Sequence, residues 1–219
     1  MHPRRLNCLT CLSILLASLA CASATAGEPP RYVLDPVHTR VMFTIDHAGF
    51  SSAIGTVSGS QGSLYFDPDD WASARLDVVV PMTRLDLGDS GWTASVFAPR
   101  FLDVKRHQQA RFVSSALERT HGDRGRACGQ LTLRGVTRPL CLDIVLNKAG
   151  RYPLPPFRRT IGFSATATLK RSDYGMTSWK TLVGEDVELR IEAELFRSES
   201  GTPSEKPAEP TEPPASSND

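Results

Sequence analysis

Val187-Glu188-Leu189-Arg190-Ile191-Glu192-Ala193-Glu194-Leu195 alternates apolar and charged side chains without interruption. Successive side chains of a strand point to opposite faces, so this run puts its apolar groups on one face and its charges on the other; a helical period would scatter both around the axis. Ile161-Gly162-Phe163-Ser164-Ala165-Thr166-Ala167-Thr168-Leu169 repeats the pattern with Thr and Ser in place of charges. Working toward the N-terminus, Leu140, Leu142, Ile144 and Leu146 alternate with Cys141 and Asp143, and Leu131 and Leu133 with Gln130, Thr132 and Arg134. Phe112 and Ser114, then Ala74, Leu76, Val78, Val80 and Met82, then Leu64 and Phe66, and finally Val41, Phe43, Ile45 and His47 obey the same rule. These are about eight strands, each with one apolar face, separated by turn residues, and such chains close into a barrel or stack as a sandwich.

One stretch breaks the rhythm. From Asp86 to Arg106 the alternation stops, and Trp92, Val96, Phe97 and Phe101 recur at wider spacings. A helix or two short helical turns fits there, with Asp89 or Ser90 as N-cap and Pro99 as the interruption, packed over an end or side of the sheet.

The two ends of the 219-residue chain read differently from the 171 residues between them. Met1 to Ala26 opens with Arg4 and Arg5, continues as an apolar run from Leu6 to Ala20, and finishes on small residues, which is the organisation of a secretory signal. Ser198 to Asp219 holds five Pro, one Lys, four Glu and one Asp and lacks aromatic and branched aliphatic residues, so it has too little apolar surface to offset the entropy of ordering. The chain thus divides into a signal peptide (1–26), one β-barrel or sandwich domain (27–197) and a disordered Pro/Glu/Ser-rich tail (198–219). With a formal net charge of only +1, nucleic acid is not an expected partner. After the signal no apolar run approaches the roughly 18 to 20 residues that cross a bilayer, so no transmembrane span is expected. Export places the mature chain in the periplasm. Lipid attachment at Cys21 is the less favoured route, because Ser18 stands where a lipoprotein signal usually has Leu.

Catalytic and metal signals are sparse. His38, His47, His107 and His121 form neither H-x-H nor H-E-x-x-H, no cysteine pair outside the signal has zinc spacing, and G-x-S-x-G, P-loop and dinucleotide motifs are missing. No catalytic residue, metal ligand or cofactor is therefore assigned. His38 and His47 bracket one strand about 30 Å long at about 3.3 Å per residue, too far apart to share a metal, and they read as hydrogen-bonded histidines at its ends. Trp92, Tyr174 and Trp179 are either an aromatic rim for a ligand or packing between loop and sheet. Arg119, His121, Arg124 and Arg126, interleaved with glycine, read as a solvated hairpin turn.

The motifs carry a resemblance. Tyr32-x-Leu34-Asp35-Pro36-x-His38-Thr39-x-Val41-x-Phe43, with His47 and Gly55 beyond, resembles the opening of the YceI-like family of exported, lipocalin-like proteins. Phe101-Leu102-Asp103-Val104 followed by Ala110-x-Phe112, the segment Gly129 to Pro139, and Gly162-Phe163-x-Ala165 through Arg171-Ser172-Asp173-Tyr174-Gly175-Met176 to Val187 are similar to successive signatures of that family. The chain departs where many members carry Arg-Asp and His-Leu pairs, which are here Trp92-Thr93 and Ser95-Val96, and Gln108 replaces a usual Pro.

The resemblance implies an all-β, eight-stranded antiparallel lipocalin-like barrel with a short helical segment, holding a polyisoprenoid or other long amphiphilic lipid without covalent chemistry. Phe43, Ile45, Leu64, Phe66, Val78, Val80, Phe112, Leu131, Leu133, Leu142, Ile144 and Phe163 are the expected cavity wall. The competing readings are an enzyme acting on a lipophilic substrate in the same barrel, with His38, Asp46 and His47 as its polar groups, and an envelope interaction module with a filled barrel. A homodimer is compatible with either.

Cys128 and Cys141 are the two cysteines beyond the signal, an even count that in an exported chain points to one disulfide. A tight turn at Arg134-Gly135 makes them direct cross-strand neighbours, and their parity with Gln130, Thr132 and Asp143 puts both on the outer face. For the tail, deletion of residues 198–219 is expected to leave melting temperature and ligand binding nearly unchanged. A fall of several degrees in a thermal melt would show that it packs on the barrel.

Overall fold

The computed structural model describes residues 27–198; the expected signal peptide and all but the first residue of the expected disordered tail lie outside the described residues. The strands are β1 (Arg31–Leu34), β2 (Arg40–His47), β3 (Ser51–Ser58), β4 (Gln61–Asp67), β5 (Asp70–Pro81), β6 (Leu85–Asp86), β7 (Gln109–His121), β8 (Arg124–Leu133), β9 (Val136–Arg151), β10 (Arg159–Lys170) and β11 (Val183–Arg197). A single α-helix, α1 (Ser90–Phe97), and two 3₁₀ turns, Met82–Arg84 and Arg171–Tyr174, complete the described elements.

All strand pairings are antiparallel, and the ladder runs β1-β4-β5-β7-β8-β9-β10-β11 before β11 returns to β1, which closes an eight-stranded barrel. The first two staves are each broken in the middle. β1 and β2 both pair with β11, at Tyr32↔Arg197 and Phe43↔Leu189, so they are successive halves of one stave interrupted at residues 35–39. β3 and β4 are likewise halves of the next stave, interrupted at Gly59 and Ser60, and pair with β2 and β1 respectively. The two-residue β6 continues this side by pairing with β3 at Val57↔Leu85. Gly55 of β3 lies under the Phe43 ring, which a Cβ there would displace.

The alternation places the apolar faces of these strands inside. One departure is in β7, where the register shifts between Ser114 and Ala116. This bulge turns Leu117, not Ala116, inward, and Ser114 Oγ accepts a hydrogen bond from the Leu76 amide at 2.8 Å. The helix is capped as its sequence suggests: the Asp89 carboxylate accepts from the Trp92 amide at 2.8 Å, and Pro99 follows the C-cap Ala98.

The two ends of the barrel are built differently. At one end lie the β4–β5, β7–β8 and β9–β10 turns, and an edge-to-face stack of Phe66 on Trp71 (5.4 Å) and on Phe163 (5.4 Å) seals the interior. Phe66 and Trp71 are almost completely buried, and Gly125 makes room for the Trp71 ring. The β1 start and β11 end meet at this closed end, where the Ser198 amide donates to the Arg31 carbonyl at 2.9 Å. At the other end lie the β2–β3 turn, residues 82–108 with α1, the β8–β9 turn and residues 171–182.

Arg134 (φ 52°) and Gly135 (φ 75°) form the tight turn between β8 and β9, which sets Cys128 opposite Cys141. The two are joined by a disulfide with their Cα atoms 4.0 Å apart, and Cys141 is on the exposed outer face. In the chain-entropy account a crosslink spanning so short a loop stabilises by about 3 kcal/mol. Titration of the denatured, unreduced mature protein is expected to find no reactive thiol from this pair, and reduction is expected to lower the melting temperature. Two titratable thiols would contradict the pairing.

Candidate functional site

The inner face of a barrel this wide does not fill itself. Val41, Phe43, Ile45, Leu76, Val78, Val80, Leu189 and Ile191 all point inward yet are only half-buried, because they border a cavity of about 390 Å³. That volume lies in the range of small-molecule sites. The barrel is hollow.

Eleven of the expected wall residues are on the cavity: Phe43, Ile45, Leu64, Val78, Val80, Phe112, Leu131, Leu133, Leu142, Ile144 and Phe163. Phe66 is not on it. It faces inward as its alternation requires, but it sits behind Phe163 in the aromatic seal of the closed end, fully buried. Val41, Leu76, Leu140, Val187, Leu189, Ile191 and Ala193 are also on the walls, and their alternation already marked them as inward. Met82, the last residue of the alternation that runs from Ala74, also reaches the cavity, and Leu85, Leu87, Val96, Phe101, Leu102 and Met176 do so from non-periodic segments that gave no such signal.

The mouth is located by residues that are on the wall and also open to solvent: Asp46, His47, Trp92 and Trp179. Trp92 stacks edge-on against His47 at 5.5 Å, and Trp179 edge-on against Phe101 at 5.8 Å, with the Arg100 guanidinium 4.9 Å above the Trp179 ring. The tryptophans thus form the rim and pack loop to strand at once. Tyr174 is not part of it; it is buried in the 3₁₀ turn, and that burial raises the pKa of its phenol.

Two arginines build this end. The Arg171 side chain, at the end of β10, is 2% exposed and on the cavity wall. Its guanidinium donates to the carbonyls of Gly184 (2.7 Å), Met176 (2.7 Å), Ser178 (2.8 Å) and Val183 (2.9 Å), so it gathers the whole 171–184 connection around one cation. Arg134 reaches from the β8–β9 turn to the carbonyls of Tyr174 (3.3 Å), Gly175 (3.3 Å) and Pro99 (2.9 Å) and joins the segments on either side of the mouth. Sequence reading missed both roles. The available signal was a cation placed directly after the clean alternation of β10, where the chain must turn.

The remaining polar groups on the wall are dispersed. Thr39 Oγ1 lies 3.5 Å from the Glu194 carbonyl and 3.4 Å from its amide, Ser95 donates to the Gly91 carbonyl, Asp46 accepts from the Gly49 amide, and the buried Ser60 hydroxyl has no partner among the described residues. Among the described residues no three metal-ligating side chains cluster. His38 is on the outside, at the break between β1 and β2, where its Nδ1 meets the Asp35 carboxylate at 2.9 Å. That hydrogen bond raises the His38 pKa. Burial pushes the Asp35 carboxyl up, but bonds from the His38 ring and from the Val37 and His38 amides outweigh it and hold the pKa below its ordinary value. Arg119, Arg124 and Arg126 lie on exposed positions of the β7–β8 hairpin, with Arg119 bonded to the Gly122 carbonyl and Arg126 to Asp143.

The geometry around Arg171 generates a test. Arg171→Leu strands four carbonyls and is expected to cost about 3 to 5 kcal/mol in denaturant unfolding. Arg171→Lys, with three donors, restores only part of that. A leucine variant as stable as the wild type would show that the carbonyls find other partners.

Residues 32–195 match the profile of the YceI-like domain. Among curated proteins, a UPF0312 protein of Serratia proteamaculans is 31% identical over 82% of this chain and 91% of its own length, and one of Pectobacterium atrosepticum is 30% identical over 90% and 99%. Among solved structures, the YceI protein of Campylobacter jejuni shares 25% identity with a TM-score of 0.62, covering 68% of this chain and 88% of that one. The fold also matches BcnA of Burkholderia cenocepacia (TM-score 0.66, 22% identity, 74% and 98% coverage). A further match is a polyisoprenoid-binding domain of Saccharophagus degradans implicated in plant cell wall breakdown (TM-score 0.59, 10% identity, 76% and 98% coverage).

Proposed function

Because the chain belongs to the YceI-like family and its barrel encloses an apolar cavity, we infer that it is a periplasmic binding protein that sequesters a lipophilic, polyisoprenoid-tailed ligand. The observation that carries this reading is the wall: strands from every part of the ring present aliphatic and aromatic side chains to one cavity that opens between Trp92 and Trp179. Such a surface holds a hydrocarbon chain by removing it from water. Ten buried methylenes at about 0.8 kcal/mol each give roughly 8 kcal/mol, a micromolar affinity before ordering costs. The polyisoprenoid-binding domain that shares the fold supports the ligand class. The signal-like leader supports export, and the disulfide suits an oxidising compartment. The enzyme reading gains little from the site, since of the polar wall groups Thr39, Asp46, Ser95 and Arg171 bond backbone, His47 packs on Trp92, and Ser60 is a lone buried hydroxyl.

Native mass spectrometry of protein purified from its own periplasm is expected to show an added mass that organic extraction removes. Ala193→Phe, which projects a ring into the cavity, is expected to abolish that mass with little change in far-UV dichroism. Recovery of only the bare polypeptide from the wild type, with no extractable lipid, would overturn the reading.

A further inference from the structure

The rim of the mouth leaves large apolar side chains open to solvent, including the outer parts of the two tryptophans that also pack loop to strand. Phe50, at the tip of the β2–β3 turn, is 92% exposed; Trp179 is 52%, Leu182 49% and Trp92 38% exposed. They come from three separate segments that the fold holds together. The Ala48 amide donates to the Leu182 carbonyl at 2.7 Å, the Leu182 amide donates to the Trp179 carbonyl at 2.9 Å, and His47 carries Trp92 against its ring. Soluble proteins seldom leave so many large apolar groups together in water.

We propose that this rim docks on the surface of a phospholipid bilayer, with Phe50, Trp92, Trp179 and Leu182 entering the interface. The proposal rests on the lipid-binding reading above, and three features choose the bilayer as occupant. The patch surrounds the opening of the apolar cavity, so docking makes a continuous apolar path along which a hydrocarbon tail passes without crossing water. Phe50 and Leu182 project from turns and Trp92 from the first turn of α1, a broken outline that enters a deformable medium; a protein partner of ordinary affinity needs roughly 800 Å² of matched surface per side. The charges also suit headgroups. Arg100 stacks on Trp179 and Lys180 follows it, so two cations flank the most exposed tryptophan. The rim carboxylates Asp46 and Asp89 are turned onto the Gly49 (3.1 Å) and Trp92 (2.8 Å) amides. Tryptophan beside cationic side chains is the composition found at membrane–water interfaces.

The closed end supplies the control. Leu154 and Phe157 in the β9–β10 turn are 62% and 50% exposed, comparable apolar surface on the opposite side of the molecule. Full-length mature protein is incubated with vesicles of phosphatidylethanolamine and phosphatidylglycerol and pelleted. The wild type and the Leu154→Ser/Phe157→Ser double variant are expected to sediment with the vesicles. Phe50→Ser/Leu182→Ser, which replaces two side chains that are not on the cavity wall, is expected to lose about tenfold or more in partitioning. In the wild type, brominated lipids are expected to quench the fluorescence of Trp92 and Trp179 but not of Trp71, which is buried at the closed end.

The proposal is overturned if the wild type fails to sediment, if both double variants behave alike, or if bromolipid leaves the fluorescence unchanged. It is also overturned if sedimentation velocity shows a wild-type dimer that Phe50→Ser/Leu182→Ser dissolves, which would make a second copy the occupant. Native mass spectra of the same samples separate the two readings. Lipid-loaded protein that ignores vesicles removes docking alone, and vesicle-bound protein that never carries lipid removes the carrier reading alone.

Discussion

An apolar sheet face must be hidden from water along its whole length, and this chain hides it by wrapping the sheet until β11 meets the first hairpin. The pairing of β11 with both β1 and β2 is therefore the contact on which the rest depends. Without it the inner faces of β2, β10 and β11 would stand open and two bare strand edges would invite pairing with other chains. Closure also fixes the bore. With eight staves the interior is just wide enough that medium-sized aliphatic side chains fail to meet across it, and the residues that would be core in a narrower barrel become wall.

The two ends of that bore solve different problems. The closed end uses aromatic bulk, with Phe66, Trp71 and Phe163 filling the section edge to face. The open end cannot be plugged in this way and is instead held as a frame, in which Arg134 and Arg171 bind backbone carbonyls of the surrounding turns. A guanidinium presents several donors in one rigid plane and can tie segments that share no regular hydrogen-bond ladder. The frame fixes the turns in place around the opening without filling it.

Period-two alternation was enough to reveal an all-β chain of about eight strands, because β10 and β11 place every inward residue in a register a reader can see, but it left barrel and sandwich open and the family resemblance chose the barrel. The same signal failed in β3, Ser51–Ser58, where the inward residues are Ala53, Gly55 and Val57 and small side chains leave no contrast. It failed again at the breaks in the first two staves, since a gap of a few residues looks like an ordinary turn. The disulfide was legible because a tight turn makes pairing a matter of symmetry. For the site, alternation tells which way a side chain points but not its depth along the bore, which is why Phe66 resembled a wall residue and is part of the seal. The stretch after Met82 was legible as a helical excursion over an end or side of the sheet, with Trp92 and Trp179 as a candidate rim. Which side chains of residues 85–102, and Met176, reach the cavity depends on how irregular segments fold back across the mouth, and no local pattern encodes that.

The order of staves around the ring is the order along the chain, and the last is hydrogen-bonded to the first, with Tyr32 directly opposite Arg197. In connectivity the barrel is therefore a closed loop cut at one point. Joining that cut with a short linker and opening the chain at another turn of the closed end, such as Gly122-Asp123, leaves every ladder and the whole frame of the mouth unchanged. The barrel is in this sense indifferent to where its polypeptide starts, and its architecture resides in the cycle of neighbours.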